Sequence, residues 1–195
     1  MIKLHLMLGA LWFIYCFFHS FFAHEKVKTI VQRTFKVGAS TYRIGYNIFA
    51  LGTLVGVLYV HIITASKQIF TPTPFSMIMA GLFAVTGMVV MLICISKYFK
   101  QLSGLFKESQ QSTLQTGGLH QWVRHPLYIG TFIFLIGLVL AWPSYSNALA
   151  VFIIIVYTVA GTVLEEKKLV QEYGEEYLLY QQRVPMLLPR LSGRN

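Results

Sequence analysis

Aspartate is absent from this 195-residue chain, and all seven of its acids are glutamate. Charged residues of both signs make up only 12%, about half of the roughly one quarter that a water-facing surface carries. That shortage excludes a soluble globular domain, and the apolar content excludes a disordered or collagen-like chain. Cysteine is scarce too. Cys16 and Cys94 lie in separate apolar runs without CxxC spacing, which leaves no disulfide framework and no zinc site. Neither an HExxH motif nor a Cys/His cluster with ligand spacing occurs, so no metal is expected. The six prolines fall between the apolar runs or at their ends, where they do not break a helix.

What remains is hydrophobic: 55% of the residues, with a mean hydropathy of +0.60. Five stretches carry no Lys, Arg, Asp or Glu: 4–23, 44–64, 75–96, 127–142 and 145–164. Four of them reach the roughly 20 residues that cross hydrocarbon as a helix. The fourth has 16, about 24 Å of helix at 1.5 Å per residue. Trp142, Pro143 and Ser144 separate it from the fifth and read as the turn of a helical hairpin. Lys3 gives stretch 4–23 a small basic start, but its apolar core is long for a signal peptide and no small-x-small cleavage site follows. The expectation is an all-α integral membrane bundle with five spans, organised as one domain over 1–195.

The net charge of +9 comes from 16 Lys and Arg against the seven Glu. In a membrane protein such an excess holds loops against anionic lipid rather than nucleic acid. Fourteen of the sixteen basic residues fall between the first two spans, after the third, or in the tail, leaving Lys3 and Lys67 for the other side. The positive-inside rule then puts the N-terminus outside and the tail in the cytoplasm.

Two polar segments on that cytoplasmic side, 97–126 and 165–195, bracket the hairpin. The first contains Gly117 and Gly118, which allow close backbone approach, and Pro126, suited to the first position of a helix. A helix start beside Arg124 favours an anion; equally, Arg124 there can meet lipid phosphate while Trp122 and Tyr128 sit in the interfacial belt. In the second segment Glu165 and Glu166 lie directly below a span. They can hold a diol or a cation, or mark a helix running on into water with Lys168 at ordinary spacing.

The run from Gly118 through His120, Trp122, Arg124, His125, Pro126 and Tyr128 to Gly130 resembles the G-x-Y-x-x-x-R-H-P-x-Y-x-G signature of the isoprenylcysteine carboxyl methyltransferase superfamily, which includes phospholipid methyltransferases. Glu165-Glu166, the block from Tyr173 to Tyr177, and Arg183-Val184-Pro185 with Pro189 resemble the C-terminal signature of the same group. The 184–189 segment and 18–23 are more similar to the branch holding methanethiol S-methyltransferases and nurim-like proteins. The resemblance implies S-adenosylmethionine (SAM) as cofactor at the cytoplasmic face. By position it would meet Leu114, Gln115, Gly118, Leu119, His120, His125, Tyr128, Glu165 and Glu166. Two departures stand out. His120 occupies the usual Tyr position. The carboxyl methyltransferases' Arg, one turn before the Glu pair, is replaced by the run 160–163, Ala-Gly-Thr-Val, which argues against a prenylcysteine carboxylate as acceptor.

The function so implied is SAM-dependent methylation of a small lipophilic acceptor (thiol, carboxylate or lipid amine) arriving through the bilayer. His19, Tyr46 and Asn47 near the cytoplasmic ends of their spans, with Arg124, are the candidate acceptor contacts. Membrane lipids are the other expected partners, and no catalytic base is assigned. The alternative is a non-enzymatic, nurim-like scaffold that kept the fold. A transporter would need charged or broken mid-membrane helices, and spans two to five have neither charge nor internal proline.

Overall fold

The computed structural model describes residues 2–64, 66–103 and 114–189. The basic residues Lys107, Arg190 and Arg194, and part of the 97–126 segment, lie outside the described residues. Seven α-helices run in order: α1 (Ile2–Ala23), α2 (Glu25–Phe35), α3 (Ala39–Ile63), α4 (Pro74–Ser103), α5 (Pro126–Ala141), α6 (Tyr145–Tyr173) and α7 (Glu175–Arg183). Among the described residues there is no extended strand, only an isolated bridge between Gln68 and Ser144.

Four helices, α1, α3, α4 and α6, are long and apolar enough to cross a membrane. The fifth expected span, α5, has 16 residues and falls short of that length, so the expected count of five reduces to four on this criterion. Much of the bundle's exterior is apolar: Phe13, Ile48, Val85 and Phe152 are each about two-thirds exposed. Side chains of this kind face lipid at no cost, because acyl chains are as apolar as they are.

Interior contacts come from two assemblies. Leu8 and Trp12 of α1 pack with Val57 of α3 and Ala150 of α6. A polar thread runs along the same seam: Trp12 Nε1 donates to His61 Nδ1 at 3.3 Å, and His61 Nε2 meets Asn147 Oδ1 at 3.1 Å. Asn147 Nδ2 then donates to the Trp142 carbonyl at 2.8 Å. At the same end His5 meets Ser66, which also accepts from the Ser146 amide. His61 thus ties three helices together.

The second assembly is α4 with α5. A Cβ added at Gly87 would lie 2.5 Å from the Gly130 carbonyl and 2.5 Å from the Phe134 amide. One added at Gly137 would lie 2.8 Å from the Ala84 amide and 2.9 Å from the Ala80 carbonyl. Only hydrogen side chains permit so close a backbone approach, and small residues drive such packing in lipid. The sequence pattern implied a hairpin of the fourth and fifth apolar runs. The chain does turn at Trp142–Ser144, with the Ser144 side chain accepting from the Asn147 amide, but the closest partner of α5 is α4, not α6.

The 11-residue α2, which links α1 to α3, has no counterpart in the sequence reading. Helix α6 runs unbroken past Leu164 to Tyr173, as the alternative of a helix running on into water had it, and α7 follows. Glu165 and Glu166 therefore sit on a continuous helix. At Gly174 the chain takes φ 57° and ψ −129°, a region open essentially to glycine alone. That reversal starts α7 and folds it back against the end of α6.

Candidate active site

Pro126 starts α5 with His125 as the preceding residue, as expected for a residue that needs no amide partner. Just upstream, residues 118–121 form a single 3-10 turn, entered through Gly118 at φ 68°. The strand-like stretch between turn and helix pairs with the segment after α7. The Arg124 amide donates to the Pro185 carbonyl at 2.9 Å, and the His125 amide to the Met186 carbonyl at 3.2 Å. Tyr180 of α7 donates to the His120 carbonyl at 2.6 Å. The two polar segments, some 60 residues apart in the chain, thus meet at the end of α5 and α6.

Glu166 is the centre of this junction. Its carboxylate receives Arg124 Nε at 2.7 Å on one oxygen and Arg124 Nη2 at 2.7 Å on the other, a bidentate fork. His125 Nε2 at 2.8 Å and the Tyr177 hydroxyl at 2.9 Å also reach Oε1, and Gln181 Nε2 reaches Oε2 at 2.6 Å. Arg124 Nη1 spends its remaining protons on the carbonyls of Gln181 and Val184. Glu166 is only 8% exposed. A buried ion pair with every lone pair satisfied is the arrangement that withstands desolvation. Arg124 is therefore turned inward, toward the protein rather than toward lipid phosphate. Beneath it Tyr177, Tyr180 and Val184 form an apolar floor with Leu114, Leu169, Val170 and Tyr173.

Glu165, one residue earlier and about 100° round the helix, has a different environment. It accepts the Tyr128 hydroxyl at 2.7 Å, and its side chain is 42% exposed. His125 Nδ1 lies 3.8 Å from the same oxygen. The His125 and Tyr128 rings stack, 5.5 Å apart at an 11° tilt. Thus Arg124, His125, Tyr128, Glu165 and Glu166 gather at one place. Gly118, Leu119 and His120 flank them on the turn, Leu114 enters the apolar floor, and Gln115 is exposed.

His19 and Tyr46 form a separate cluster. The Tyr46 hydroxyl lies 3.1 Å from His19 Nδ1 and donates to its carbonyl, while the His19 and Tyr157 rings meet edge to face. Tyr157 is also hydrogen-bonded to Ser20 at 2.7 Å. It precedes Glu165 by eight residues, about 12 Å of helical rise. Asn47 is half-buried beside Tyr46 on α3. Tyr177 closes the block that carries the family resemblance, though no role was attached to it; Tyr157 and Gln181 were not singled out in the sequence. Tyr157 is polar within an apolar run and could have been; Gln181 looks like an ordinary surface residue of an amphipathic helix.

The charge states follow from these contacts. Burial works against ionisation of Glu166, but hydrogen bonds from Arg124, His125 and Tyr177, with the guanidinium charge, hold its carboxyl at about 2. Burial, with the nearby charges of Lys97 and His125, lowers His120 to about 4, so it is neutral at pH 7. The signs combine. His120 takes up its proton from an ordinary 6.5 in the unfolded chain, so stability falls as pH drops from 6.5 toward 4. The contribution of Glu166 is intact above its ordinary 4.5 and is lost as pH falls toward 2. Thermal unfolding in detergent should therefore show a two-stage decline on acidification, with the upper stage reduced in His120→Gln. A melting temperature flat from pH 7 to 5, or an upper stage unchanged in that variant, contradicts this assignment.

Comparison with known proteins places the same region in a family. Residues 75–176 match the family model "Phospholipid methyltransferase". A methanethiol S-methyltransferase of Crocosphaera subtropica is 34% identical over 102 residues, 49% of this chain and 38% of that protein. The human protein-S-isoprenylcysteine O-methyltransferase is 40% identical over 91 residues, 45% of this chain and 31% of its own length. A methanethiol S-methyltransferase of Pseudomonas deceptionensis is 42% identical over 81 residues, 40% of this chain and 29% of that protein. The matched stretch thus spans about a third of each relative's length. No solved structure matches. The family match covers α4, α5 and α6 and both carboxylates of the junction, over more than half the chain: this protein belongs to the phospholipid methyltransferase family.

Proposed function

We propose that the chain is a SAM-dependent integral membrane methyltransferase whose cofactor site lies at the junction of α5, α6 and α7. The observation that carries this reading is the split between two adjacent carboxylates. Glu166 is saturated by protein donors, whereas Glu165 presents a half-exposed oxygen pair next to an aromatic stack. The donor set suits an adenosylated amino acid. Glu165 can accept from a ribose diol or an ammonium, the rings of His120, His125 and Tyr128 offer flat faces, and the space where a Gly118 Cβ would stand is open.

Bound SAM supplies an electrophilic methyl group, whose transfer is an in-line displacement. The protein's part is then placement and exclusion of water. The Arg124–Glu166 fork holds the two cofactor segments in register. His120, neutral at pH 7, can accept a proton from an amine or thiol acceptor. The His19–Tyr46–Tyr157 cluster, one span-half deeper, supports access for a lipophilic acceptor from the bilayer. The basic loops favour a cytoplasmic orientation of this face with the N-terminus outside, and α5 would then traverse most of the hydrocarbon alongside α4.

Calorimetric titration of the purified protein with S-adenosylhomocysteine tests the reading. Saturable binding is expected in the wild type, with Glu165→Gln weakening it at least tenfold at an unchanged melting temperature. No binding by folded wild-type protein at millimolar ligand would overturn the proposal and favour a scaffold role.

A further inference from the structure

Two things stand out away from the junction: helix α2 and the groove beside it. Wound as a helix, α2 places Val27, Ile30, Val31, Thr34 and Phe35 on one face and Lys26, Lys28 and Arg33 along its edges. None of its residues is buried, and Ile30 and Phe35 are 63% and 70% exposed. Its location is nonetheless constrained. It joins the ends of two antiparallel spans, and Glu25 reaches Lys168 of α6 at 3.4 Å, so it lies on the membrane face that carries the junction. A short basic amphipathic helix held at that level lies in the plane of the interface.

An apolar groove of about 420 Å³ opens between this helix and the spans, lined by Phe22, Val31, Phe35, Tyr42, Gly45 and Phe49 among others. Its walls run from the interface down the lipid-facing side of α3. Lys36 lies in the chain between the groove residues Phe35 and Val37 and closes α2 in the left-handed conformation at φ 53°, ψ 38°. It is the only described non-glycine residue with positive φ. Glycine or asparagine is the usual choice at such a helix end, and a lysine there is strained relative to glycine. Lysine at this point accepts backbone strain at a position flanked in the chain by two groove residues.

We infer that the groove between α1, α2 and α3 binds an anionic phospholipid, its acyl chain along Phe22, Phe35 and Phe49 and its phosphate at Lys36. The charge argues for the occupant: residues 24–43 hold Lys26, Lys28, Arg33, Lys36 and Arg43 against the single acid Glu25, which is already engaged by Lys28 and Lys168. A zwitterionic lipid would leave that excess unmatched. The groove shares Tyr46 with the cluster proposed for acceptor access but no residue with the proposed cofactor site, on which it does not depend.

Two variants separate the head and tail contacts without threatening the fold. Lys36→Gly removes the cation and relieves the left-handed strain. Gly45→Leu fills the groove from a position where an added Cβ meets nothing within 4 Å. Native mass spectrometry of the full chain in detergent, with added phosphatidylglycerol or phosphatidylcholine, reads the outcome. The wild type should retain phosphatidylglycerol in preference to phosphatidylcholine. Lys36→Gly should reduce that preference about fivefold, the effect of one lysine near an anionic lipid, with an equal or higher melting temperature. Gly45→Leu should lose retention of both lipids, and Lys67→Gln, on the other membrane face, should change nothing. Equal retention of both lipids by the wild type, an unchanged preference in Lys36→Gly, or unchanged retention in Gly45→Leu overturns the inference.

Discussion

Replacing Arg124 with alanine should destabilise the protein by about 3–5 kcal/mol, the cost of leaving a buried carboxylate without its partner. The guanidinium is bound to both oxygens of Glu166, to the Gln181 carbonyl in the last turn of α7 and to the Val184 carbonyl just past it, so its loss strands an anion and loosens the end of α7 together. Arg124→Lys should recover only part of the loss, because a single ammonium cannot span both carboxylate oxygens and the Val184 carbonyl. Glu166→Ala should match Arg124→Ala, and the double variant should be less destabilised than the sum, as two halves of one interaction. Thermal unfolding in detergent provides the measurement. A shift in Arg124→Ala of less than about 3 °C, roughly 1 kcal/mol for a chain this long, would show that the fork does not hold the junction. The contrast with Glu165→Gln separates the two carboxylates: one change should unfold the junction, the other should leave it standing and weaken ligand binding.

The second large effect is expected at Gly87. Leucine there has nowhere to go, since its Cβ would meet the Gly130 carbonyl and Phe134 amide at 2.5 Å and the Phe134 Cβ at 2.8 Å. Those are main-chain atoms and the root of a side chain, so relief requires α5 to move away from α4. Overpacking of this kind costs about 3 kcal/mol or more when backbone must shift. Lipid offers no hydrophobic force to press the helices together again. Because α5 begins at Pro126, directly after Arg124 and His125, its displacement should also abolish binding at the junction. Gly81→Leu on the same helix is the matched control: an added Cβ meets nothing within 4 Å, and stability should be unchanged. Equal melting temperatures for the two leucine variants would refute the close α4–α5 contact.

How much of this was legible beforehand differs from residue to residue. The apolar runs marked the spans because a 20-residue stretch without charge has few other uses. The run of 16 also announced its shortness, and α5 remains the one that misses the length for a span. Arg124, Tyr128 and the Glu pair were conspicuous as charged and aromatic groups at a membrane boundary, which left lipid contact open as well; the family resemblance added His125 and joined them into one site. Their separate roles were not legible. Nothing in two adjacent glutamates says which one faces inward; that depends on the 100° turn between them and on what α7 brings to one side only. Gln181 carried no signal, and Tyr177 only its place in the resemblance, since their roles arise from Gly174 folding α7 back onto α6. The hairpin turn was legible, but the closer pairing of α5 with α4 was not, for a similar reason. A three-residue turn joins α5 to α6, but chain proximity does not outweigh a glycine-lined face that only α4 matches.

From sequence alone came the helical class, the apolar spans, the family resemblance and the gathering of polar residues at one membrane face. These are local properties: hydrophobicity, charge and turn chemistry accumulate along the chain whatever its neighbours are. Tertiary structure decided the division of labour between Glu165 and Glu166, the inward turn of Arg124, the pairing of α5 with α4 and the apolar groove beside α2. Each of these depends on which atoms lie within about 3 Å across distant parts of the chain, the range over which hydrogen bonds and steric contact act.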